Sequence, residues 1–253
     1  MYDNPNKVRR NIVYPMIANE VINALKSVAS VERRKTNEWF FKTGKGQYGY
    51  GDKFIGVRMP DLRKIAKQYH QKVSFDNIST LLNSSIHEVR HCGLIMLVYQ
   101  YPKGDQHKIY EFYSANFASI NNWDLVDTTA PNIVGNYLFN KPDKTEILQN
   151  YAYSENLWTR RIGIVSTFVF IKNNCFEPTL EISQSLLGDK QDLIHKATGW
   201  MLREVYKRDA TLVKHFLKQN YAQLPRTTLR YAIERMDKQE RRDCLKGIFD
   251  VPN

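Results

Sequence analysis

A chain of 253 residues with 42% hydrophobic content can bury a substantial core, so one domain spanning 1–253, or one continuous array, is expected. Its 37 Lys and Arg against 26 Asp and Glu leave a formal charge of +11, an excess that favours a polyanion: nucleic acid or an anionic membrane surface. No apolar run approaches the ~18 residues of a membrane span, and the N-terminus M-Y-D-N-P-N-K-V-R-R lacks the apolar stretch of a signal peptide. Three scattered cysteines (Cys92, Cys175, Cys244) argue against a disulfide scaffold and suit free thiols in a reducing cytoplasm.

Apolar residues recur at three- and four-residue spacing with few alternating runs, which predicts an all-α chain. Helices are expected over 16–30, 32–42, 60–71, 75–83, 86–101, 104–118, 123–139, 143–152, 156–173, 176–187, 191–207, 209–219, 226–236 and 238–248. Turn chemistry such as Pro102-Lys103-Gly104, Pro142-Asp143 and Gly188-Asp189 separates them, and short links of this kind make antiparallel pairs. One stretch departs from the helical rhythm. Residues 42–58 hold five of the twelve glycines and must form a loop. Gly44, Gly46 and Gly49 match G-x-G-x-x-G, but no strand precedes them, so a dinucleotide site is not expected. Two readings of the loop stay open: amides and cations approaching phosphates, or a helix-to-helix connection with special backbone angles.

The pairs also repeat. R-H-C-G-L-I-M-L from Arg90, R-R-I-G-I-V-S-T from Arg160 and K-A-T-G-W-M-L-R from Lys196 align on Gly93, Gly163 and Gly199, with Thr128 in the intervening slot. These four positions fall 35, 35 and 36 residues apart, the period of a helical-repeat array in which each pair covers its neighbour's apolar face. A small residue at a helix centre permits close packing.

Three constellations carry candidate chemistry. In Asn121–Val134, Asn122 can cap a helix on which Trp123 and Asp127 lie one turn apart, and Pro131 should kink it because the Asp127 carbonyl loses its helical N–H partner. The ordinary reading is a first-turn acid suiting the macrodipole and a core tryptophan. Trp158 with Arg161 and Trp200 with Arg203 place aromatic and cation one turn apart on later repeats, although the ~100° step per residue puts Trp200 on a different face. Lastly, His87-Glu88-Val89-Arg90-His91 matches the zinc-protease pattern H-E-x-x-H. It lacks a third ligand at a useful spacing and begins a repeated helix, so chance occurrence is the better reading and no metal or other cofactor is expected.

Four motifs in order, F-F-K-T-G-K-G-Q-Y-G-Y-G-D-K-F-I-G-V-R-M-P-D-L-R, N-N-W-D-L-V-D, E-N-L-W-T-R-R-I-G-I and H-K-A-T-G-W-M-L-R-E, make the chain resemble the HEAT-like-repeat alkylpurine DNA glycosylases of the DNA alkylation repair family. The resemblance implies a right-handed superhelical solenoid of antiparallel helix pairs with a concave basic face. It further implies excision of cationic N3- and N7-alkylated purines from double-stranded DNA, without cofactor. It gives Asp127 the place of the catalytic carboxylate, Trp123 and Trp200 the places of the aromatics that hold the damaged nucleotide's sugar, and Arg161 that of the arginine gripping phosphate. Arg203 is a further DNA-contact candidate. A cytoplasmic monomer that binds no membrane is expected.

Overall fold

The computed structural model describes residues 6–251, and their side chains from Met16. Among them there is no strand, only an isolated parallel bridge between Lys53 and Ile86. Two compact units divide the chain between Leu125 and Val126. The first holds α1 (Asn6–Ser27), α2 (Val31–Phe40), α3 (Met59–Tyr69), α4 (Phe75–Leu82), α5 (His87–Gln100), α6 (Gln106–Ala115) and the start of α7 (Trp123–Ala130). Leu62, Ile65 and Ala66 on α3, and Ile78, Leu81 and Leu82 on α4, make stripes at helical spacing. Both helices lay these stripes on α5, which is buried from His87 through Leu97.

The second unit continues with a π-helical turn (Pro131–Gly135), α8 (Asn136–Leu138), α9 (Lys144–Ala152), α10 (Leu157–Ser166) and α11 (Phe168–Lys172). It ends with α12 (Glu177–Ser185), α13 (Asp192–Tyr206), α14 (Ala210–Asn220), α15 (Arg226–Ala232) and α16 (Lys238–Leu245). Here α10 packs on α9 and α13, α13 on α14 and α15, and α9 on α12, so each pair leans on the next.

Every expected helix has a counterpart, though 104–118 closes in a separate 3-10 turn at Phe117–Ser119 and two others break internally. The span 123–139 gives way at Pro131, which has no N–H to donate; the backbone takes up the loss as a π turn, and the Asn132 side chain donates to the Thr128 carbonyl at 2.9 Å. The span 156–173 breaks at Thr167, whose hydroxyl donates to the Ile164 carbonyl at 2.7 Å. Helix α1 also starts ten residues ahead of its expected first position, at Asn6 rather than 16.

The repeat register is visible in atoms. A Cβ on Gly93 would lie 3.1 Å from Leu81 of α4, one on Gly163 3.2 Å from the Leu148 carbonyl of α9, and one on Gly199 2.5 Å from both the Thr228 carbonyl and Tyr231 Cβ of α15. Each glycine sits where two helices touch. Three residues before the first two glycines, Arg90 and Arg160 each donate to the carbonyl six residues back, Ser84 at 2.9 Å and Ser154 at 2.8 Å. Gly199→Ala should therefore destabilise the protein by about 1–3 kcal/mol through overpacking against α15 backbone, read as a lowered melting temperature; an unchanged melting temperature would refute that close approach.

Candidate functional site

Asp127 lies on α7 as the second residue of the second unit, and its carboxylate meets Arg161 of α10 in a two-bond fork. The guanidinium donates Nε–H to Oδ1 at 2.8 Å and Nη2–H to Oδ2 at 2.7 Å. A third donor, Nη1–H, reaches the Leu193 carbonyl in the first turn of α13 at 2.5 Å. The arginine side chain is only 6% exposed and the carboxylate 17%, so the acid is the member nearer to solvent. Sequence alone places Asp127 and Arg161 34 residues apart, one repeat, and the fold turns that interval into contact. Asn156 fixes the start of α10 by accepting the N–H groups of Trp158 and Thr159, which sets the register of Arg161.

The other expected site residues have separate surroundings. Trp200 on α13 is partly exposed, its ring 6.0 Å from that of Phe168, over which the Lys172 ammonium stands at 4.5 Å. Arg203 pairs with Glu234 of the segment after α15 and approaches Glu204 at 3.7 Å, so its charge is already answered within the protein. Trp158 is buried at 8% exposure and serves as core, as the ordinary reading has it.

In the first unit, Trp123 is held by rings. Phe41 stacks on it at 5.3 Å, Phe40 meets it edge-on at 5.7 Å, and its indole N–H donates to the Tyr48 hydroxyl at 3.2 Å. Phe41 in turn stacks on Phe54, and Phe54 on the His87 imidazole at 4.5 Å. At this end of α7 the Asn122 side-chain oxygen accepts the Trp123 N–H at 2.9 Å.

The H-E-x-x-H residues are spent on structure. His87 Nε2 meets Asp124 at 2.8 Å and its Nδ1 meets Asp52 at 3.1 Å, so both ring nitrogens donate to carboxylates. Burial opposes a charge on this ring, but the charges and hydrogen bonds of Asp124 and Asp52 outweigh it and raise its pKa to about 9. For Asp52, burial is likewise outweighed by His87, Arg90 and Asn121, which hold it down to about 2. Asp124 is lowered further, with His87 and His91 overcoming its burial. Ligand atoms of His87, His91 and Asp124 all lie within 4.8 Å of one another. The fold thus brings Asp124 to the histidine pair as the third ligand atom that sequence spacing did not show, and in this structure the three side chains pair with one another as an ion network. Glu88, the base of the zinc pattern, accepts the backbone N–H groups of Ile55, Gly56 and Val57, at 2.8 Å from Gly56.

That last contact accounts for one part of the glycine-rich loop: the amides of residues 55–57 converge on the protein's own carboxylate. Gly46, Gly51 and Gly56 all have positive φ, and at Gly56 a Cβ would collide with the Ser30 carbonyl at 2.0 Å.

A model of the DNA alkylation repair enzyme family matches residues 21–236. The chain belongs to that family. Among solved structures, its fold is similar to "Predicted DNA alkylation repair enzyme from Enterococcus faecalis", with a TM-score of 0.67 at 15% identity, over 83% of this chain and 97% of that one. No curated protein matches. No helix among the described residues of this DNA alkylation repair family member is long and apolar enough to cross a membrane.

Sequence reasoning missed Asp52, Asn121 and Tyr48. Each is a polar residue in a loop or at a helix start, and only the chain fold shows which partner it serves. The ion network has a pH signature. With its pKa raised from 6.5 to about 9, His87 contributes stability that is complete below pH 6.5 and fades as pH climbs through about 9. His87→Ala should cost about 3–5 kcal/mol, because two buried carboxylates lose their cation, and should flatten that alkaline decline in denaturant melts between pH 6 and 10. An alkaline decline of the same size in the variant would remove His87 from the network.

Proposed function

We propose that this protein is a monofunctional DNA glycosylase that hydrolyses the N-glycosidic bond of cationic N3- or N7-alkylated purines in duplex DNA. The observation that carries this reading is the carboxylate of Asp127, near the surface and oriented through both oxygens by an arginine that is itself buried. Membership of the DNA alkylation repair enzyme family supports the substrate class, and the +11 charge supports a polyanionic partner.

An alkylated purine already carries a positive charge and leaves without a general acid. What needs help is the deoxyribose, which becomes oxocarbenium-like as the bond to the base lengthens. A carboxylate beside C1′ stabilises that cation and accepts a proton from the attacking water. Trp123 and Trp200 are the aromatics assigned to the sugar, where an indole face attracts the cation more strongly as charge develops. Arg161 has a double role on this reading. Three of its five N–H groups fix Asp127 and α13, and the remaining two are those a phosphate oxygen would accept. Arg203, paired with Glu234, contributes to DNA binding only by exchanging that partner for phosphate. No amine nucleophile takes part, so the product is an abasic site in an uncut strand.

Asp127→Asn should lower the release of 7-methylguanine from methylated duplex by roughly 10²–10³-fold while duplex affinity is kept; retained excision would take the carboxylate out of the mechanism. Arg161→Gln should lower excision comparably and reduce the salt dependence of duplex binding by about one unit per lost phosphate contact. An unchanged salt slope would restrict Arg161 to holding Asp127.

A further inference from the structure

The glycine-rich loop is tied down at both ends. Gly49 N–H donates to the Lys42 carbonyl at 3.1 Å at its start. At its end, Lys53 exchanges backbone bonds with Ser85 and His87, Asp52 is bound by Arg90 and Asn121, and Glu88 accepts the amides of residues 55–57. Between these anchors stands Tyr48, partly buried, its hydroxyl accepting the Trp123 indole N–H. An indole stacked on one face alone still turns in its plane. Phe41 supplies the face and Phe40 an edge, and the Tyr48 hydroxyl supplies the direction.

We propose that Tyr48 is a positioning residue for Trp123, and that the loop 42–58 exists to carry its hydroxyl to the indole N–H and so fix the orientation of the ring offered to the damaged nucleotide's sugar. This inference rests on the sugar-holding role given to Trp123 above. It gives the loop a task that neither phosphate binding nor simple connection supplies, and it explains why so flexible a composition is fastened by the side chains of Glu88, His87, Arg90 and Asn121 and by the backbone of Ser85 and His87.

The test combines a spectrum with a double-mutant cycle on the full chain. In ¹H–¹⁵N spectra the Trp123 indole signal is identified by its loss in Trp123→Phe. Tyr48→Phe should shift that signal upfield and leave the other indole signals in place. It should also slow 7-methylguanine release by roughly 3- to 10-fold, the worth of one hydrogen bond, at an unchanged melting temperature. In the Trp123→Phe background the same substitution should add no further loss. An unmoved indole signal, or an equal loss in both backgrounds, would overturn the assignment. Absence of base release by the unaltered protein would defeat the glycosylase reading instead, and the indole signal would still decide the Tyr48 contact.

Discussion

On the glycosylase reading proposed above, the fork between Arg161 and Asp127 is the interaction on which the chemistry depends. A carboxylate that must stabilise a cation needs a fixed direction, and two parallel N–H···O bonds fix both its oxygens. The cost of desolvating the guanidinium is offset by three hydrogen bonds, one of them to the backbone of the next helix. Arg161 thereby ties together three successive repeats, through Asp127, its own α10 and Leu193. Because the arginine is the deeper partner, the acid presents itself toward solvent on a preorganised support, which is what electrostatic stabilisation of a transition state requires.

A comparable economy governs the first unit. Its H-E-x-x-H helix feeds an ion network. It supplies a cation, His87, clamped between Asp52 and Asp124, and an anion, Glu88, seated in three backbone amides. Through the ring contacts of His87, Phe54 and Phe41, the network reaches the indole of Trp123. Each unit thus fixes a site residue in a frame of its own: rings and a hydroxyl around Trp123, a guanidinium around Asp127.

Much of this was legible in the residues. Three- and four-residue apolar spacing located every helix, since burial of a stripe is what forms them, and the 35-residue period correctly marked Gly93, Gly163 and Gly199 as crossing points. Pro131 announced the distortion of the 123–139 span, though not that it would be a π turn whose Gly135 lies against the Ser166 carbonyl. The family resemblance named Asp127 and Arg161, but their mutual pairing is a tertiary fact: nothing local says that a guanidinium one repeat away will face an acid. For the same reason the amides of residues 55–57 gave no hint that their anion would be Glu88, and the free-looking cation Arg203 gave none that Glu234 would claim it. Tyr48 was one tyrosine among fifteen until the loop's path brought it to Trp123.

The central claim is that a fixed carboxylate suffices to release a base that already bears positive charge. Its most direct test compares two duplexes, one carrying 7-methylguanine and one carrying uracil, with chromatographic identification of the free base and gel analysis of the strand. Release of 7-methylguanine from an uncut strand, with uracil left in place, is the result the charge argument requires. No free 7-methylguanine, or rapid release of uracil, would contradict it.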